Sequence, residues 1–286
     1  MPNESVKIIE CPRDAMQGIK RFIPTEKKVG YINQLLEVGF DTIDFGSFVS
    51  PHAIPQLADT ALVLSQLNWS PEKAKLLAIV ANTRGAREAS VFDQITYLGF
   101  PFSISETFQQ RNTNASIEEA VERVEEIQTI CTNGNKHLIV YISMGFGNPY
   151  GDLWNTDTVM QWTQKLAEMD VKIISLADTV GVAEPNVISL LFRQVITEFP
   201  DIEFGAHFHT TPNTWREKVE AAYMNGCRRF DGAIKGYGGC PMAQDELTGN
   251  MPTENLLSYL EEKGEGFVMD KVAFGDAMRY ADSIFS

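Results

Sequence analysis

A regular alternation constrains this chain more than any other feature. Eight short runs rich in β-branched and aromatic residues, at 6–10, 42–46, 76–81, 100–105, 138–143, 172–177, 203–209 and 229–234, recur along its length. Between most of them apolar residues return with helical spacing. Residues 25–38 open on Thr25, repeat Val29, Ile32, Leu35 and Leu36 on one face, and stop at Gly39. Ser116 and Glu119 form a capping box ahead of Val121, Val124 and Ile127. Residues 215–225 make a further such stretch, ended by Gly226. Strands alternating with helices pair in parallel, and eight units imply closure into a (β/α)8 TIM barrel of the α/β class. A doubly wound open sheet is the competing arrangement. It normally carries a phosphate-binding glycine loop after the first strand, whereas residues 6–10 run into Cys11-Pro12-Arg13-Asp14. The expectation is a single domain over residues 1–286, with 264–286 as a C-terminal helical extension.

Composition narrows what such a barrel handles. A net charge of −14 argues against a nucleic-acid or anionic-membrane surface, both of which need clustered Lys and Arg. An anionic small molecule held by a local basic patch remains open. No apolar run reaches the roughly 18–20 residues that span a bilayer. Met1-Pro2-Asn3-Glu4 lacks the basic and apolar regions of a signal peptide. Cys11, Cys131, Cys227 and Cys240 show neither paired nor C-x-x-C spacing. The expectation is a reduced, cytoplasmic protein.

In barrels of this kind the chemistry sits at the C-terminal ends of the strands. Those ends carry Arg13 and Asp14, Asp44 and Ser47, Asn82, Glu106, Tyr141 and Ser143, Asp178 and Thr179, His207 and His209, and Lys235 with Cys240. His207 and His209 alternate along one strand, so both imidazoles face the same side. They read either as a hydrogen-bonded buried pair or as metal ligands, with Asp14 opposite and Asn250 arriving from the glycine-rich loop. Two nitrogens with carboxylate and amide oxygens favour Mg²⁺ or Mn²⁺ over tetrahedral zinc. Cys240 reads as a small apolar filler or as a proton-transfer thiol. Arg13 reads as a partner of Asp44 or as a donor to an enolate oxygen. Asp178 is either a structural cap or a catalytic acid. Ser47, Asn82, Tyr141 and Thr179 are the polar strand-end residues placed to meet a substrate. Lys235 could form a Schiff base if desolvated.

At this point the residues resemble the 3-hydroxy-3-methylglutaryl-CoA lyase family, within the metal-dependent barrel group that includes isopropylmalate and homocitrate synthases. The resemblance runs over almost the whole chain. It rests on Pro12-Arg13-Asp14-Ala15-Met16-Gln17, Ser47-Phe48-Val49-Ser50-Pro51, Ser116-Ile117-Glu118-Glu119 and the segment Ser175 to Val182. Gly236-Tyr237-Gly238-Gly239-Cys240-Pro241-Met242-Ala243-Gln244, with Gly249-Asn250 and Thr253-Glu254, is similar to the lyases more than to the synthases.

The resemblance implies a divalent cation, Mg²⁺ or Mn²⁺, on Asp14, His207, His209 and Asn250. It implies Arg13 as the enolate-stabilising arginine, Cys240 in proton transfer, Asp178 and Asp44 as catalytic acids, and Lys20 near coenzyme A. His207 is the first candidate for the base. The implied reaction is carbon–carbon cleavage of an acyl-CoA, 3-hydroxy-3-methylglutaryl-CoA, to acetyl-CoA and acetoacetate, by a homodimer. A condensing enzyme or related aldolase of the same group is the alternative. The chain departs from the lyase pattern at Ala15 (usually glycine), Asp44 (usually glutamate), Ile139 (commonly arginine) and Thr210 (usually an acid).

Overall fold

The structure is a computed structural model that describes residues 5–239, 248–266 and 268–285. Eight strands run parallel around a closed ring: β1 (Lys7–Glu10), β2 (Thr42–Ser47), β3 (Lys75–Ile79), β4 (Ile95–Ser103), β5 (His137–Ser143), β6 (Ile173–Asp178), β7 (Glu203–Thr210) and β8 (Arg229–Gly232). Each pairs with the next, and β1 pairs with β8 from Lys7↔Arg229 to Glu10↔Gly232, which closes the barrel. A two-residue strand, β9 (Gly249–Asn250), returns antiparallel against the C-terminal end of β7. The expected (β/α)8 architecture is the one observed.

Strand side chains divide between two packed regions. Outward residues such as Ile43, Phe45, Phe100 and Phe208 meet the surrounding helices in one continuous core. Inward residues Leu77, Ile79, Tyr97, Ile139, Tyr141 and Ile173 form a separate cluster inside the ring. Ile139 is fully buried there, so this lumen layer is apolar. Below it the buried Arg229 guanidinium lies 5.5 Å from the Tyr97 ring centre and 3.4 Å from Glu203.

Local chemistry sets the helix ends as expected in several places. The helix Thr25–Leu36 stops ahead of Gly39, whose φ of +99° is the left-handed backbone that favours glycine. The capping box at Ser116 and Glu119 opens the helix Ile117–Asn133. Most boundaries shift by a residue or two from the sequence reading, and the larger differences are at β4 and β8. β4 begins at Ile95 and passes through Pro101, which lies beyond its last pair with β3 at Gly99 and therefore leaves no β3 bond unmade. β8 ends at Gly232, and Ile234–Gly236 form a 3₁₀ turn instead of extending the strand.

The C-terminal extension is helical from Lys271 to Phe285 and packs on the helix Thr25–Leu36. Tyr280 stacks on Tyr31 with ring centres 6.2 Å apart, and Phe285 meets Tyr31 edge-on. A Cβ at Gly30 would collide with the Tyr280 hydroxyl, so a larger residue there would displace the stacked Tyr280 ring. No helix among the described residues is long and apolar enough to cross a membrane.

Candidate active site and metal centre

The turn after β1 is a short helix, Pro12–Gln17, instead of an extended strand end. Pro12 occupies its first position, where the missing N–H costs nothing and the fixed φ suits a helix. This places Arg13 and Asp14 on the first turn, both buried, pointing across the barrel mouth. The Arg13 guanidinium then spans two carboxylates. Its Nε lies 3.0 and 3.2 Å from the oxygens of Asp44 on β2, and its Nη1 reaches Asp14 Oδ1 at 2.9 Å and Gln17 Oε1 at 3.0 Å. Of the two sequence alternatives for Arg13, the pairing with Asp44 is the one observed, and the guanidinium also bonds Asp14. Burial disfavours its charge, but Asp44 and Asp14 outweigh that and hold it firmly protonated.

The two imidazoles come from β7, with ring centres 5.5 Å apart. Strand register supplies each with a neighbour. His207 pairs with Asp231 on β8, and its Nδ1 lies 3.0 Å from Asp231 Oδ2. His209 pairs with Asn250 on β9, whose Nδ2 donates to the Tyr237 carbonyl at 2.8 Å. That leaves the Asn250 amide oxygen as the atom able to meet a cation. Tyr141 on β5 meets the His207 ring edge-on at 5.7 Å.

Asp14, His207 and His209 each offer a ligand atom within 4.8 Å of the other two. Asp14 Oδ2 and His209 Nδ1 are buried with no hydrogen-bond partner. Unpaired buried polar atoms are costly, and two of them on residues whose ligand atoms lie this close together fit a bound cation. Two imidazole nitrogens with carboxylate and amide oxygens suit a hard or borderline divalent ion. The electrostatics agree. Burial pushes the Asp14 carboxyl up, but Arg13, His207 and His209 prevail and hold it below the usual range. Burial, followed by the neighbouring His207, pulls His209 down to about 4, so its ring is neutral and free to donate a lone pair. His207 is also disfavoured as a cation by burial, yet Asp231 raises it above the ordinary histidine value.

Other sequence candidates are placed differently. Asp178 is buried behind the site, with Oδ1 accepting from the Ala183 amide at 3.1 Å and Oδ2 from Lys218 Nζ at 2.6 Å. Both oxygens serve the turn after β6, which is the structural alternative for this residue. Ser47 Oγ donates to the Ile79 carbonyl and accepts from the Val49 amide, Asn82 Oδ1 caps the helix Thr83–Ser90 through the Gly85 amide, and Thr179 Oγ1 accepts from the Met144 amide. Lys20 is exposed in the turn after the helix Pro12–Gln17. Lys235 bonds Asp282 of the C-terminal helix, an exposed ion pair that gives it none of the desolvation a Schiff-base lysine needs. Cys240 lies outside the described residues.

The sequence reading missed Asp231, Gln17 and Lys218. Asp231 takes its place from the register of β7 with β8, which its own strand does not reveal. Lys218 lies on the helix Trp215–Met224, whose pattern gives a lysine no sign of burial.

The profile of the HMGL-like family matches residues 6–284. The chain belongs to the HMGL-like family. Among its relatives, the cytoplasmic 3-hydroxy-3-methylglutaryl-CoA lyase of Rattus norvegicus is 34% identical over 262 residues, 91% of this chain and 76% of that one. The hydroxymethylglutaryl-CoA lyase of Pseudomonas mevalonii is 32% identical over 270 residues, covering 91% and 86%. Similar solved structures include the HMG-CoA lyase of Brucella melitensis, with a TM-score of 0.91, 29% identity and 99% coverage of both chains. A second HMG-CoA lyase structure, from Acinetobacter baumannii, was solved with coenzyme A and 3-methylmalate; it gives a TM-score of 0.90 at 30% identity, covering 98% and 91%. The HMGL-like relatives named here are thus carbon–carbon lyases, and this chain places the buried Asp14, His207 and His209 together at the mouth of a similar barrel.

Proposed function

We propose that this protein is a divalent-cation-dependent carbon–carbon lyase that cleaves 3-hydroxy-3-methylglutaryl-CoA to acetyl-CoA and acetoacetate. The observation that carries this reading is the clustering of Asp14, His207 and His209 at the barrel mouth, with Asn250 paired to His209 and with Asp14 Oδ2 and His209 Nδ1 unpartnered. These four residues would hold Mg²⁺ or Mn²⁺. Such an ion acidifies a bound hydroxyl and polarises a carbonyl.

Cleavage requires loss of the proton on the tertiary hydroxyl, rupture of the adjacent C–C bond, and reprotonation of the departing acetyl-CoA enolate. With Nδ1 of His207 on Asp231, Nε2 is the ring atom left for either an ion or a proton, and it takes one at a time. His207 is assigned the removal of the hydroxyl proton in the cleavage step. Arg13 has five N–H groups, of which four face Asp44, Asp14 and Gln17. The remaining one, on Nη2, is assigned to the enolate oxygen. Cys240 is assigned the delivery of the final proton. Gly238, two residues before it, has a φ of +85°, and a Cβ there would lie 2.7 Å from Ala15 Cα and 2.9 Å from the Asp14 carbonyl oxygen. That close approach sets the Gly238 backbone against Asp14 and Ala15.

Tyr141, facing His207 from the lumen, is the assigned substrate contact, and the exposed Lys20 is assigned to the coenzyme A moiety. Three free buried cysteines, Cys11, Cys131 and Cys227, suit a reducing compartment, and we assign the protein to the cytoplasm as a homodimer.

The test is a coupled assay for acetoacetate with purified protein and 3-hydroxy-3-methylglutaryl-CoA. Cleavage should stop with EDTA and return with Mg²⁺ or Mn²⁺. Absence of cleavage across a panel of 3-hydroxy-acyl-CoAs, or coenzyme A release from acetyl-CoA plus a 2-oxo acid, overturns the reading.

A further inference from the structure

Strands β7 and β8 run in register at His207 and Asp231, so the two side chains leave adjacent strands side by side. The Asp231 side chain is 2% exposed, too enclosed for water to substitute for its partner. Its Oδ2 lies 3.0 Å from His207 Nδ1, while Oδ1 is buried without any hydrogen bond. A buried carboxylate with one oxygen unsatisfied costs stability. A well-packed apolar residue at 231 would avoid that cost, so the acid is poorly explained as a stabilising device.

The contact has a definite chemical consequence. An ionised carboxylate only accepts hydrogen bonds, and a neutral imidazole has a single N–H. The bond therefore exists only when that hydrogen sits on Nδ1, which puts the ring's lone pair on Nε2. We infer that Asp231 is a positioning residue that fixes His207 as its Nδ1–H tautomer and so keeps Nε2 open towards Asp14 and His209. Without Asp231, a share of the rings carries its hydrogen on Nε2, and those rings can neither bind an ion nor accept a proton there. Carboxylates behind metal-binding histidines act in this way generally, and their loss weakens metal binding by roughly 10–100-fold.

This inference rests on the proposed function only in that His207 is used through Nε2; the tautomer itself is independent of the reaction catalysed. The experiment is long-range ¹H–¹⁵N correlation NMR on histidine-labelled, metal-free protein at pH 8, with calorimetric titration of Mn²⁺. Wild-type His207 is expected as Nδ1–H. Asp231→Asn is expected to shift part of the population to Nε2–H and to weaken Mn²⁺ binding about 10–100-fold, with unchanged melting temperature in the metal-free form. A wild-type ring found as Nε2–H, or doubly protonated, overturns the inference, whether or not the variant folds. So does a folded Asp231→Asn variant with the wild-type tautomer and Mn²⁺ affinity. Failure of the lyase assay would sink the proposed reaction and leave the NMR result standing, so the two failures are distinguishable.

Discussion

Lys218 Nζ lies 3.0 Å from the main-chain carbonyl of His209 and 2.6 Å from Asp178 Oδ2. It also reaches the Gly181 carbonyl at 2.9 Å. A single buried ammonium thus ties the back of β7, at the histidine, to the turn after β6. Removing one member of such a pair leaves the other charged and dry. Lys218→Met should destabilise the fold by about 3–5 kcal/mol in denaturant titration, and Asp178→Asn by a similar amount. The double variant should lose less than the two single losses combined. If Asp178→Asn keeps full stability yet abolishes turnover, Asp178 is a catalytic acid and its structural placement is wrong.

Asp14 supplies the carboxylate of the proposed cation-binding group. Asp14→Asn keeps the shape and removes the charge, so Mn²⁺ affinity measured by calorimetry should fall by more than the roughly 100-fold seen when only a supporting residue is lost. His209→Ala should do the same. Unchanged binding in either variant would remove the site.

Arg13 tests the enolate assignment. Arg13→Lys keeps a positive charge but loses the planar fork that meets Asp44 and Asp14 together. In steady-state kinetics kcat should drop about 10²–10³-fold, the usual cost of one donor to a developing oxyanion, with KM changed far less. A fall confined to KM would make Arg13 a binding residue.

Glu10 is a pH probe built into β1. Burial raises its carboxyl to about 8, against hydrogen bonds from Thr253 and the Ile234 amide that favour ionisation. The unfolded chain releases this proton near its ordinary value of 4.5. Between those values the native state holds more protons than the unfolded one, so stability falls as pH rises, by at most ~1.4 kcal/mol per pH unit. The contribution is fully present below 4.5 and gone above about 8. Glu10→Gln should flatten this slope in melting curves recorded from pH 5 to 8. An identical slope in the variant would assign the effect to other groups.

The barrel was legible because its evidence is periodic: eight strand runs, a capping box at Ser116 and glycines at 39 and 226 that end helices. The geometry at His207 and His209 followed from alternation along one strand. What the sequence hid were interactions set by inter-strand register and by burial on otherwise ordinary helices. Asp231 gains its meaning only from lying beside His207, and Lys218 only from the depth of its helix. Ser47, Asn82 and Thr179 show a different ambiguity, since each bonds local backbone. Strand ends also need polar side chains to bond the turning backbone, and sequence alone does not separate that duty from contact with a ligand.

The antiparallel pairing of His209 with Asn250 joins only two residues on each strand. Strand pairing has no intermediate settings: sliding β9 by one residue would bring Gly249, with no side chain, to the place of the Asn250 amide. The returning segment therefore behaves as a latch with discrete positions. A one-residue slip at β9 would take the Asn250 amide from its place beside His209 without unfolding anything.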